Sequence, residues 1–122
     1  MTPDALAGLE VLVLEDDYLI ADDTRRALKG AGAQVIGPFA DFPEALEAAD
    51  GRKPSCALVD VNLGWGPNFQ AARALMARGV PVVFMTGYDK AVIPNDLQSV
   101  PCVQKPAENR KLVAAVRSAC GR

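Results

Sequence analysis

Five short apolar runs recur along the chain, at residues 11–14, 33–36, 56–61, 81–85 and 100–103, each rich in branched side chains. A strand with one face in water alternates apolar and polar residues, so runs apolar on both faces suit a parallel sheet covered on each side. Between them the apolar spacing becomes helical. Ile20, Thr24, Ala27, Leu28 and Ala31 fall on one stripe, with Gly30 and Gly32 as the stop. Phe42, Leu46 and Ala49 share a second face, opened by Asp41 and Pro43 and ended by Gly51. Asn68 precedes a third helix that turns Phe69, Ala72, Leu75 and Met76 inward and closes at Gly79. A last helix carries Leu112, Val113, Val116 and Ala119. From 89 to 99 the pattern is poor and Pro94 interrupts it, which predicts a short or distorted helix there. Five strands alternating with about five helices predict a doubly wound α/β sandwich.

A length of 122 residues predicts one domain, and half of those residues are apolar, enough for one packed core. No signal segment or bilayer-length apolar run is found, so a soluble protein is expected. The net charge of −2, without a basic cluster, argues against nucleic acid as a direct partner. Cys56, Cys102 and Cys120 are odd in number and widely spaced, unlike a disulfide framework or zinc pattern, and suit a reducing cytoplasm. Histidine is absent, which excludes Ser–His–Asp and Cys–His catalysis and His-based metal ligation.

Ligands of doubly wound sheets sit beyond the carboxyl ends of the strands. Here those ends carry Glu15, Asp16 and Asp17 after the first run, Asp60 and Asn62 after the third, Thr86 and Gly87 after the fourth, and Lys105 and Pro106 after the fifth. Each alone has a bland reading, as a helix-start acid or a turn residue. Together they gather carboxylates, a hydroxyl and an amine at one rim. Three carboxylates in one place repel unless a proton or cation joins them. Oxygen donors without imidazole or thiolate favour a hard cation, and few carboxylates plus water favour Mg²⁺, with Mn²⁺ as a substitute. The set suits phosphoryl transfer to a carboxylate nucleophile.

These motifs, in this order, resemble the receiver domains of bacterial response regulators along nearly the whole chain. Residues 11–17 resemble the acidic first-strand motif, 57–60 the phosphoacceptor strand, 84–87 the hydroxyl strand and 104–106 the lysine strand. The wording of 60–64 and 86–89 is similar to single-domain regulators paired with sensor histidine kinases in alphaproteobacteria.

The resemblance implies a flavodoxin-like sheet of order 2-1-3-4-5, with residues 1–122 forming one receiver domain without an output domain. It implies that Asp60 accepts the phosphoryl group, and that Asp16, Asp60 and the backbone carbonyl of Asn62 ligate Mg²⁺. Glu15, where the family more often has Asp, acts through a metal-bound water or binds directly. Thr86 and Lys105 hold phosphoryl oxygens, assisted by the amides of Asn62 and Gly87. Asp17 reads better as a helix-start residue than as a ligand. The Lys105–Pro106 bond is expected to be cis. The implied partners are a sensor histidine kinase or phosphotransfer protein and an unidentified downstream protein, with a homodimer left open. No membrane and no direct nucleic-acid contact are expected.

Cys102 stands where the family often has a switching aromatic, Ala107 follows the Lys-Pro pair in place of Phe, and 64–68 lack the common Met-Pro wording. Tyr88 is expected to shield the acyl phosphate, to supply the missing aromatic switch, or to pack on its loop. Trp65 reads as a partner anchor or as packing.

Two other functions compete. A small phosphohydrolase with an aspartyl-phosphate intermediate usually needs a second Asp two residues after the nucleophile, and Asn62 stands there. A receiver-like binding module that no longer accepts phosphate is favoured by Cys102 and opposed by the intact acceptor, hydroxyl and lysine. A flavin carrier is excluded, because the acidic residues after the first strand repel a flavin phosphate. The expectation is a cytoplasmic phosphoacceptor that dephosphorylates itself slowly, and not an enzyme with turnover.

Overall fold

The computed structural model describes residues 4–63 and 66–121. Strands β1 (Glu10–Leu14), β2 (Gln34–Phe39), β3 (Cys56–Asp60), β4 (Val82–Thr86) and β5 (Cys102–Gln104) form one parallel sheet in the order β2-β1-β3-β4-β5. Among the described residues the connecting helices are α1 (Tyr18–Gly30), α2 (Phe42–Arg52), α3 (Gln70–Ala77) and α4 (Asn109–Ala119).

The two faces of each strand feed two separate cores. Leu12, Leu14, Ala57, Val59 and Phe84 point into a core closed by α2 and α3, where Phe69 meets Phe84 edge-on at 5.7 Å. Val11, Val13, Leu58, Val83 and Met85 point into the other, closed by α1 and α4 through Leu28, Leu112, Val113 and Val116. Each such side chain taken fully from water contributes about 1.5–3 kcal/mol, which is why no strand position on β3 or β4 is polar before the last.

The helix starts follow their caps. Asp17 Oδ1 accepts from the amides of Leu19 and Ile20 at 3.0 and 3.2 Å, and Asp41 Oδ1 accepts from Glu44 at 3.1 Å. Ahead of α3 the Asn68 Oδ1 accepts from the Gln70 amide at 2.9 Å, although the N-cap itself is Phe69, without a side-chain cap.

Four expectations need correction. In place of a fifth α-helix, the segment between β4 and β5 forms two 3-10 turns, Lys90–Val92 and Asn95–Leu97. Pro94 lacks an amide to donate and pushes Ile93 out of the helical region, so no longer helix can form. The second helix runs past Gly51 to Arg52 and ends at Lys53, whose φ of 47° takes the left-handed place usually given to glycine. Met76 is 40% exposed, because α3 is only two turns long and Ala71, Ala72 and Leu75 fill its inner face. Finally, β2 extends beyond Ile36 through a bulge at Gly37 and Pro38.

Candidate functional site

The strand ends converge as the rim argument requires. Glu15 follows β1 and is buried, Asp16 beside it is exposed, and Asp60 is the buried last residue of β3. One carboxylate oxygen from each lies within 4.8 Å of the others. Thr86, buried, ends β4 one residue past the Asp60–Met85 pair of the ladder. Lys105 follows β5 directly, its amide donating to the Thr86 carbonyl at 2.8 Å.

The side chain of Lys105 reaches into the acidic group. Its Nζ lies 2.6 Å from Glu15 Oε1 and 3.0 Å from Asp60 Oδ1. Burial pulls the ammonium toward neutrality, but hydrogen bonds and charge from Glu15 and Asp60 outweigh it and hold the lysine above its ordinary range. Glu15 moves the other way from most surface acids. Its burial, and then its hydrogen bond with the Asp60 side chain, push its carboxyl from 4.5 up to about 7, against the pull of Lys105 and of the Asp17 amide. Two carboxylates in hydrogen-bond contact need a positive charge between them. Without a metal, a proton on Glu15 and the Lys105 ammonium supply it.

The remaining contacts fix orientation. The Asn62 amide donates to Asp60 Oδ1 at 3.0 Å, and the Asp17 amide to Glu15 Oε2 at 3.2 Å. The Tyr88 amide donates to Thr86 Oγ1 at 2.9 Å, while its side chain is half-buried against the α2–α3 core. Gly87 is exposed at the rim, and Asn62 forms an isolated bridge with Pro67. Asp17 caps α1, in accord with its reading as a helix-start residue. The Lys105–Pro106 bond is cis, as is the Gly37–Pro38 bond, which was not anticipated. Cys102 is half-buried at the start of β5. Trp65 and Gly64 lie outside the described residues.

A hard divalent cation fits this donor set. Glu15, Asp16 and Asp60 offer only oxygens, two of them are buried, and both buried ones are already held by positive charge. The sequence reading did not single out Gly37 and Pro38, although a Gly-Pro pair at a strand end is itself a sign of irregular backbone.

A five-stranded parallel sheet of this order, with an acidic rim faced by a lysine, defines the receiver class of signalling domain. The family model of the response regulator receiver domain matches residues 11–117, and the chain belongs to that family. It is 27% identical over 123 residues to the transcriptional regulatory protein PdtaR of Mycobacterium tuberculosis, covering 98% of this chain and 60% of PdtaR. It is 29% identical over 114 residues to the phyllosphere-induced regulator PhyR of Methylorubrum extorquens, covering 90% of this chain and 43% of PhyR. The chain thus spans less than two thirds of the length of these relatives. Its fold superposes on the solution structure of BeF3-activated SdrG from Pseudomonas melonis with a TM-score of 0.78 and 28% identity, covering 96% of this chain and 99% of SdrG. Among the described residues no helix is long and apolar enough to cross a membrane.

Proposed function

We propose that this receiver domain accepts a phosphoryl group on Asp60 from a phosphohistidine donor in the cytoplasm and signals by protein–protein contacts. The observation that carries this reading is the buried Asp60 carboxylate, placed within 4.8 Å of Glu15 and Asp16 and paired with Lys105.

An Asp60 oxygen attacks phosphorus as the bond to the histidine nitrogen breaks, and the imidazole departs with that electron pair. Lys105, set between Glu15 and Asp60, faces the charge that spreads over the phosphoryl oxygens. Thr86 exchanges its contact with the Tyr88 amide for the phosphoryl group and draws the segment that follows β4 with it. The amide of Asn62, now on Asp60 Oδ1, holds the acceptor in register. Glu15, Asp16, Asp60 and the Asn62 carbonyl would hold Mg²⁺, which would supply neutralisation of the charge on the transferring group. The donor is a sensor histidine kinase or phosphotransfer protein, and a downstream protein reads the altered surface.

Asn62 supports this reading over a turning-over phosphohydrolase. It offers no acid or base two residues after the acceptor, so hydrolysis of the acyl phosphate is slow and unassisted. Treatment with acetyl phosphate, followed by mass-spectrometric mapping, tests the proposal. Label is expected on Asp60 only, dependent on Mg²⁺ or Mn²⁺, and absent in Asp60→Asn. Label elsewhere, or label indifferent to metal, overturns it.

A further inference from the structure

The β1–β2 ladder is regular from Glu10↔Gln34 through Leu12↔Ile36 and resumes at Leu14↔Phe39. One residue of β1, Val13, therefore faces two of β2, Gly37 and Pro38. Beyond this bulge the Glu15 amide donates to the Phe39 carbonyl at 2.9 Å. In the regular register the Glu15 amide would meet the carbonyl of residue 38, so the bulge moves its acceptor on by one residue, to Phe39. The bulge thus sets which part of β2 holds the backbone of the first acidic residue of the rim.

Only glycine fits at its first position. Gly37 has φ +105°, and a Cβ built there would lie 2.8 Å from the Phe39 nitrogen, 3.0 Å from the Phe39 ring and 3.0 Å from the Val13 carbonyl oxygen. Two of these three neighbours are backbone atoms of the strands that hold Glu15, so relief of the clash must move them. A bulge that re-aims a side chain beside a site is a known use of this element. Here the side chain concerned is the carboxylate that meets Lys105 at 2.6 Å and lies within 4.8 Å of the Asp60 and Asp16 carboxylates. Pro38, the second bulge residue, lines with Glu15, Asp16 and Tyr18 a cavity of about 390 Å³ beside the rim.

We infer that Gly37 is a positioning residue for the acidic pocket: its bulge fixes the backbone of Glu15 and thereby the place of that carboxylate among the cation ligands. The inference rests on the phosphoacceptor reading for its consequence, the affinity of the pocket for a divalent cation. Gly37 touches neither cation nor phosphoryl group and acts through Glu15. Outer groups that orient a ligand typically change metal affinity by about 10–100-fold.

The test is a double-mutant cycle read by Mn²⁺ titration. Gly37→Ala is expected to weaken Mn²⁺ binding by about tenfold in the wild-type background and to have little effect in a Glu15→Gln background. Leu75→Ala, which empties a buried site on α3 away from the bulge, serves as the stability control and is expected to leave Mn²⁺ affinity unchanged. Equal losses from Gly37→Ala in both backgrounds, or no loss in either, overturn the inference. If Gly37→Ala does not fold, hydrogen exchange at the Glu15 amide of the metal-free wild type decides. Strong protection is expected from its bond to Phe39, and free exchange overturns the inference. Wild-type protein that binds no Mn²⁺ and takes no label at Asp60 would instead sink the phosphoacceptor reading, leaving the exchange result to judge the bulge.

Discussion

The Lys105 ammonium stands 2.6 Å from Glu15 Oε1, an ion pair between two side chains that are 16% and 3% exposed. Such a pair, with Asp60 a third partner, ties β1, β3 and the end of β5 into one charge cluster. Its balance of charge bears on stability and, on the proposed function, on cation binding.

The first consequence is a dependence on pH with an unusual sign. Glu15 titrates at about 7 in the fold, because it is buried and hydrogen-bonded to Asp60, against 4.5 when free. Between these values the folded chain binds more protons than the unfolded one, so stability falls as pH rises from about 4.5 to about 7. This is opposite to the effect of Asp22, Asp50 and Asp96. Arginine hydrogen bonds hold those three below the ordinary carboxylate range, so their contribution is present above about 3.8 and lost in stronger acid. Melting temperatures of metal-free protein from pH 5 to 8 are expected to decline. Saturating Mg²⁺ should flatten that decline, and Glu15→Gln should remove it. A rising profile in that window would contradict the assigned environment of Glu15.

Replacing the lysine should separate binding from chemistry. Two unit charges about 4 Å apart interact by about 1 kcal/mol in water and about 4 kcal/mol near a protein surface. In Lys105→Met the repulsion between ammonium and incoming cation is gone, and Mg²⁺ should bind about tenfold tighter, an effect of about 1.4 kcal/mol. The metal-free protein should melt lower, since two buried carboxylates lose their partner. Labelling of Asp60 by acetyl phosphate should slow despite the tighter metal. Calorimetric titration and timed mass spectrometry measure the two effects separately, and weaker Mg²⁺ binding would contradict the charge argument.

The rim was legible because its residues sit where apolar runs stop. A parallel strand buried on both faces leaves no ambiguity about Val59 or Met85, so the polar residues Asp60 and Thr86 mark the boundary themselves. Asp17 could be separated from its two neighbours because a helix start needs an acceptor there. Other features rest on competition that sequence spacing does not display. Met76 has the right period for an inward residue, but a two-turn helix presents a narrow face and Ala72 and Leu75 already occupy it. Gly51 looks like a helix stop, yet the helix continues one residue further and Lys53 makes the left-handed turn. The bulge at Gly37 depends on a contact with Phe39 and Val13 that appears only once β1 and β2 pair. The cis bond before Pro106 followed from the resemblance to receiver domains and not from the residues alone.

Lys53 offers a stabilising change. Its amide closes α2 on the Ala49 carbonyl at 2.9 Å while its backbone takes φ 47°, a region that costs a residue with a Cβ about 1–2 kcal/mol. Lys53→Gly removes that cost and returns part of it as unfolded-chain entropy, for a net gain of about 0.5–1 kcal/mol. Melting should rise by about 2–4 °C in a chain of this size. Asp60 labelling should be unaffected, since Lys53 lies at the opposite end of β3. A lower melting temperature would show that the lysine side chain contributes something its backbone strain conceals.

Tyr88 bears on how long the modified state lasts. Its amide donates to Thr86 Oγ1 at 2.9 Å, while its ring is half-buried against the core under α2 and α3, two residues from the hydroxyl proposed to hold the phosphoryl group. On the proposed function, a ring at this position is expected to restrict the approach of water to the acyl phosphate and so slow its spontaneous hydrolysis. Tyr88→Ala keeps the backbone amide and removes the ring, so Asp60 labelling should proceed at a near-normal rate while the phosphorylated form decays several-fold faster. Tyr88→Phe should retain the long lifetime, since bulk and not the phenol is what blocks the water. Decay followed by Phos-tag electrophoresis after removal of acetyl phosphate measures both variants. An unchanged lifetime in Tyr88→Ala would leave the ring a packing residue and place the control of hydrolysis elsewhere on the rim.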